Sequence, residues 1–195
     1  MKEQAVDRAT NRREMLRMSG MGLLGGVAAS GLTSKVRAAE APVNISYASW
    51  IQGYSMQVEN PERLIQDTRV GWCALVIGQP GTENWFHFAV PTPVIVNDVR
   101  LQADSIILSF ATGSADAIVR DIHVYDGWNR IAEFNGVNLS GQQYLVREII
   151  PGTPYMGMGL GISIGVSFGV EAMDHGMEFY DVGCDFVSRP PTTGG

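Results

Sequence analysis

Three histidines, His87, His123 and His175, are the side chains best placed for acid–base or metal chemistry near neutral pH. Asp121 and His123 stand two residues apart, so on an extended strand they share a face. If His87 meets them from a neighbouring strand, the three form a two-histidine, one-carboxylate set of the kind that holds a transition metal with open positions. That arrangement would make the chain a small metal-dependent enzyme. The alternative is a half-buried strand histidine bonded to Asp121 or Tyr125. Neither His-x-His nor His-Glu-x-x-His occurs in the chain. Hard oxygen donors for a structural calcium stand at Asn97-Asp98, from Asp126 to Asn129, and at Asp174 with Glu178, although none fits the twelve-residue calcium loop.

A second kind of chemistry is recognition by aromatic stacking. Trp128 lies in the turn Asp126-Gly127-Trp128-Asn129, where burial of an indole is hard to arrange. An exposed ring beside Asp126 and Asn129 suits the face of a sugar, and Tyr47, Trp50 and Tyr54 add rings nearer the N-terminus. The other reading is that these rings cover the ends of the fold. Gly161-Ile162-Ser163-Ile164-Gly165 has the letters of a nucleophile elbow, but the elbow needs a strand-to-helix turn and here the alternation runs straight through. Gly157, Gly159 and Gly161 likewise begin a dinucleotide fingerprint that no helix completes.

The elements that must hold these residues read as strands. From Met158 to Phe168, large apolar residues alternate with Gly159, Gly161, Ser163, Gly165 and Ser167. A helix would scatter those glycines around its circumference at about 1 kcal/mol each. A strand sorts them onto one side, where a backbone, a ring or a ligand can approach. Arg69 to Gly78 reads as a central strand apolar on both faces. In Trp85 to Val90, Phe86, Phe88 and Val90 share one face while Trp85, His87 and Ala89 share the other. Ala117 to Tyr125 sets Ile118, Ile122 and Val124 opposite Asp121, His123 and Tyr125, with Arg120 interrupting the apolar side. Further strands fall at Val94 to Val96, Ser105 to Ala111, Arg130 to Phe134, Gln143 to Ile150 and Met177 to Val187. One short helix is expected from Asn60, with Pro61 at its first position, to about Ile65. The sum is an all-β domain over residues 39–188, an antiparallel β-sandwich with a β-barrel as the alternative, followed by a disordered tail at 189–195.

Cys73 and Cys184 are the only cysteines and match no zinc spacing, so in an oxidising compartment they are expected to form a disulfide; the alternative is two separate buried thiols. The compartment follows from the N-terminus. Asn11-Arg12-Arg13-Glu14-Met15-Leu16-Arg17 precedes a weakly apolar, glycine-rich stretch that ends in Val36-Arg37-Ala38. This segment resembles a twin-arginine export signal with cleavage after Ala38, which implies the twin-arginine translocation machinery as a partner and a periplasmic or extracellular destination. No cysteine near the cut supports a lipid anchor, so no stable membrane anchor is expected after cleavage.

Residues 1–38 hold seven of the 14 basic residues and three of the 20 acidic ones, leaving seven arginines, no lysine and a formal charge of −10 in residues 39–195. Such a surface repels phosphate backbones, so nucleic acid is not a partner. The run from Trp85 to Val94, together with His123-Val124-Tyr125-Asp126-Gly127 and Leu139-Ser140-Gly141, resembles a group of uncharacterised secreted β-rich bacterial proteins. The resemblance implies the fold and carries no activity. The functional expectation is an exported, non-catalytic binding or structural protein with a glycan or protein ligand; the metal-dependent enzyme is its rival.

Overall fold

In the computed structural model, residues 44–188 can be described; the segment expected to be an export signal, with Arg12, Arg13 and Ala38, and residues 189–195, expected to be a disordered tail, lie outside them. The described chain forms thirteen strands: β1 (Ile45–Gln52), β2 (Gln57–Val58), β3 (Leu64–Val70), β4 (Cys73–Gly78), β5 (Thr82–Val90), β6 (Ile95–Val96), β7 (Val99–Arg100), β8 (Gln102–Thr112), β9 (Ala117–Asp126), β10 (Asn129–Leu139), β11 (Gln142–Ile149), β12 (Leu160–Phe168) and β13 (Gly176–Val187). The first sheet runs β11-β8-β13-β4-β3, with β1 also paired to β13; the second runs β10-β9-β12-β5-β2. Every pairing is antiparallel and both sheets keep open edges, so the fold is a sandwich and not a closed barrel.

The two sheets meet over a core of alternate residues. Leu160, Ile162, Ile164, Val166 and Phe168 of β12 point inward, as do Phe86, Phe88 and Val90 of β5 and Ile106, Leu108 and Phe110 of β8. Phe179 of the first sheet reaches both Phe86 and Phe88 of the second, with ring centroids 5.0 and 5.6 Å apart in tilted and edge-on contact.

Three expectations change against the structure. The stretch Arg69 to Gly78 is not one strand. It breaks at Gly71-Trp72 into the hairpin of β3 and β4, and Trp72 projects from the turn. The helix expected at Asn60 is only a single 3-10 turn, Pro61–Arg63, because strand β3 begins at Leu64 and pairs with β4. The disulfide is not formed: Cys73 and Cys184 are free and buried. Register explains this. Ala74 pairs with Phe179, so Cys73 lies opposite Tyr180, four residues along β13 from Cys184. At strand rise that is roughly 13 Å, well beyond the ~7 Å that a disulfide spans between Cα atoms. Cys184 packs in the core, while Ala74 and Val76 take the inward positions of β4 and turn Cys73 the other way. Burial, joined by the charge of Glu178 at Cys73 and by those of Asp185 and Asp104 at Cys184, pushes both thiols up, which suppresses the reactive thiolate. Unfolding without reductant should therefore expose two titratable thiols per chain, and reductant should leave the melting temperature unchanged. Absence of titratable thiols would contradict the register.

The interruption at Arg120 also has a structural cause. Pairing of β9 with β12 shifts between Gly165↔Asp121 and Val166↔Val119. One residue bulges out, so Ala117 and Val119 face the core before the bulge and Ile122 and Val124 after it. The bulge is what lets Ala117 and Val119 share the core face with Ile122 and Val124, while alternation keeps Asp121, His123 and Tyr125 on the outer face.

Candidate functional site

The small side chains of β12 define the middle of the second sheet's outer face. β12 lies between β5 and β9, so its outward residues are flanked on both sides. One register row crosses all five strands: Gln57, His87, Ser163, His123 and Glu133. The next row is Trp85, Gly165, Asp121 and Asn135; the row on the other side is Ala89, Gly161, Tyr125 and Arg130.

Gly165 permits the Trp85 indole to lie flat over β12. A Cβ at that position would sit 3.1 Å from the ring. So placed, Trp85 meets His123 with centroids 4.7 Å apart at 36°, and His123 meets Tyr125 edge-on at 6.4 Å. The three rings make a half-buried ladder across β5 and β9.

Polar groups frame the ladder. His87 Nδ1 lies 2.8 Å from Ser163 Oγ, and its Nε2 lies 3.1 Å from Glu59 Oε2. His123 Nε2 bonds Asn135 Oδ1 at 3.1 Å. Arg120 Nε donates to Asp121 at 2.7 Å, and its other end pairs with Glu83. Burial works to raise the Asp121 carboxyl. The Arg120 hydrogen bond, the Gly136 N–H and the charges of Arg120 and His123 outweigh it, and the group is held below the usual carboxylate range.

Glu59 reaches His87 because its segment is clamped. Its N–H donates to the Trp85 carbonyl at 3.0 Å. Asn84, only 1% exposed, accepts from the Asn60 N–H at 3.0 Å and donates to the Asn60 carbonyl at 2.8 Å. Asn84 and Glu59 escape the sequence reading: a lone inward Asn on an apolar strand face is the only trace of the clamp, and the partner lies 24 residues away.

The expected metal set does not assemble. His87 and His123 are two strands apart, roughly 10 Å in backbone spacing, with Ser163 between them. Asp121 is bonded to Arg120 and Gly136 instead of to either imidazole. Among the described residues, no group of three or more His, Cys, Asp and Glu side chains gathers as a metal would require. The calcium candidates lie in turns or are engaged by neighbouring donors. Asn97 and Asp98 take positive φ between β6 and β7, Asp174 accepts from the Gly176 N–H at 2.8 Å, and Glu178 accepts from the Tyr180 hydroxyl at 2.7 Å. His175 bonds Asp116 at 3.2 Å at the far end of the sheet.

The hairpin tip divides. Trp128 is 84% exposed and Asn129 is exposed, as the turn reading expects. Asp126 is buried, and its carboxylate accepts the N–H groups of Gly157, Met158 and Gly159 at 2.6, 2.8 and 2.9 Å. It holds the loop before β12 and has no free edge for a ligand.

Ser163, His87 and Glu59 have the connectivity of a nucleophilic relay. However, β12 is laddered along its whole length on both sides, so its N–H groups around Ser163 are occupied and none is left to stabilise an oxyanion.

The molecule is thus an antiparallel β-sandwich with one aromatic and hydrogen-bonding sheet face. The chain belongs to the family of unknown function DUF6623, whose family model matches residues 45–188. No curated protein matches the sequence. Among solved structures, it is similar to a low affinity xylan binding module, CBM86, from Roseburia intestinalis, at 10% identity and TM-score 0.46 over 72% of this chain and 96% of that one. It is also similar to a cyclase from Fischerella sp. TAU, at 12% identity and TM-score 0.44 over 72% and 89%. A family 35 carbohydrate binding module from Clostridium thermocellum shares 14% identity at TM-score 0.41 over 71% and 98%. Likeness at these values carries no argument about function.

Proposed function

We propose that this chain is an exported, non-catalytic binding protein whose second-sheet outer face takes a carbohydrate. The observation that carries the reading is the Trp85–His123–Tyr125 ladder lying over Gly165 and beside Ser163. Half-exposed rings offer flat apolar area to the C–H face of a pyranose, and Ser163, Asn135 and Glu133, the last paired with Arg130, stand around it as donors and acceptors for hydroxyls. Export is read from Arg12, Arg13 and Ala38, and places the protein where polysaccharides are met.

A glycan array with the wild type, Trp85→Ala and Trp128→Ala tests the reading. Loss of the indole platform should weaken binding at least about tenfold, as expected for a central aromatic anchor. Trp128→Ala should leave binding within about twofold, because Trp128 stands on the β9–β10 turn beyond the ladder. Loss of binding in Trp128→Ala alone would move the site to the hairpin tip, and no binding to any glycan would remove the carbohydrate reading.

A further inference from the structure

At the centre of the face stands a hydrogen-bond chain, Glu59–His87–Ser163, whose polarity is set by one proton. Glu59 contributes a carboxylate, which only accepts, so the His87 nitrogen facing it, Nε2, carries a hydrogen. In the neutral imidazole the other nitrogen, Nδ1, is then a bare acceptor, and Ser163 must donate its hydroxyl hydrogen to it. Ser163 Oγ is left with lone pairs towards the open face. When His87 takes a second proton, Nδ1–H becomes the donor and Ser163 Oγ the acceptor. The serine hydrogen is released and turns outward. The same atom that accepted from a ligand now donates to it.

We propose that Ser163 is the specificity-determining residue of this face and that the protonation state of His87 sets its hydrogen-bond sense. Neutral His87 makes Ser163 an acceptor for a sugar hydroxyl. Protonated His87 makes it a donor, which selects sugars bearing a carboxylate or carbonyl acceptor. The proposal rests on the reading of the face as a carbohydrate site.

The surroundings of His87 favour a chain that responds as a unit. Glu59 comes from the segment clamped by Asn84, and Gln57 of β2 is its register partner on one side. Ser163 of β12 is its partner on the other, with His123 of β9 and Glu133 of β10 beyond it. The row on one side holds Trp85 and Asp121, the latter already paired with Arg120, which also holds Glu83; the row on the other side holds Tyr125 and Arg130, the latter paired with Glu133. Among the described residues, Glu59 is the one carboxylate in ion-pair contact with His87. Inward of the strand, Phe86 and Phe88 are apolar and supply no competing partner. His123 is bonded to Asn135 and stacked on Trp85, which leaves the serine to His87.

The test has two arms on the full chain. Long-range proton–nitrogen NMR at about pH 8, above the usual imidazole range, should show His87 protonated at Nε2 and bare at Nδ1. Glu59→Gln should erode that tautomer, because its amide can donate as well as accept. A wild type protonated at Nδ1, or a Glu59→Gln variant with an unchanged tautomer, overturns the chain. In the second arm a glycan array carrying neutral, uronic and acylated sugars is read at about pH 5 and about pH 8, on either side of imidazole titration. Wild type should shift towards carboxylate- and carbonyl-bearing sugars at the lower pH. Ser163→Ala should lose about two- to tenfold in affinity, as for one hydrogen bond, and should lose the shift. An equal shift in Ser163→Ala overturns the proposal. If wild type binds no glycan at either pH, the carbohydrate reading fails, and with it the assignment of specificity to Ser163, whatever the tautomer.

Discussion

Replacing Phe179 with alanine is expected to lower the free energy of unfolding by about 3–5 kcal/mol, the largest single effect in the described chain. Phe179 is fully buried on β13 and is the ring of the first sheet that packs on both Phe86 and Phe88 of the second. Its loss removes the transfer free energy of a phenyl group and leaves a cavity between two sheets that cannot close without sliding. The consequence reaches the outer face. Phe86 and Phe88 alternate with Trp85 and His87 on β5, so a strand that loses its inward footing also loses the fixed height of the rings on the other side. Denaturant unfolding measures the first effect. Near-ultraviolet circular dichroism of the Trp85–His123 pair, compared with a Trp85→Ala control, measures the second. A cost below about 1.5 kcal/mol would mean that the sheets are not joined through these rings.

Replacing Asp126 with alanine is expected to cost on the order of 3 kcal/mol, because three backbone N–H groups lose a charged acceptor in a buried position. Burial acts to raise the Asp126 carboxyl, but the N–H groups of Met158, Gly157 and Gly159 and the charge of Arg100 outweigh it, and its pKa is lowered. A carboxyl whose folded pKa lies below its unfolded value stabilises the fold above the unfolded pKa, about 3.9 for Asp, and loses that contribution as pH falls through the folded value. Wild type and Asp126→Asn should therefore differ clearly at about pH 7 and converge in acid below about pH 4. Urea unfolding at the two pH values measures the difference. A gap that persists unchanged into acid would show that the carboxylate charge is not what holds the 157–159 loop.

The two predictions rest on features of unequal legibility. The alternation in β12 could be read directly, since each inward residue from Leu160 to Phe168 is large and each outward one is glycine or serine. The outer sides of β5 and β9 were legible in the same way, and the bare face does admit a neighbour, the Trp85 ring. Met158 extends the pattern in sequence but lies beyond the strand, half exposed and against Gly127, because the Asp126 contacts turn the chain before Leu160.

What escaped the sequence was long-range placement. Alternation fixes the face of a residue and says nothing about which strand lies beside it. His87 and His123 were on the right faces, yet β12 lies between them, and that spacing turns an expected metal set into two separate hydrogen-bonded imidazoles around Ser163. The cysteines failed for the same reason, standing on adjacent strands of one sheet but four residues out of register. The break at Gly71-Trp72 was hidden because apolar residues continue through a tight turn, and β1 was missed although its Ser49 and Ile51 turn towards the sandwich.

In the proposed binding mode a sugar lies across β5, β12 and β9 on the second sheet. The direct measurement is an NMR titration of the full chain with the strongest glycan from the array. Saturable shifts are expected, confined to the side chains of Trp85, His87, His123 and Tyr125 and to the backbone around Ser163. Shifts confined instead to Trp128 and its turn, or to the outer face of the first sheet, would contradict it.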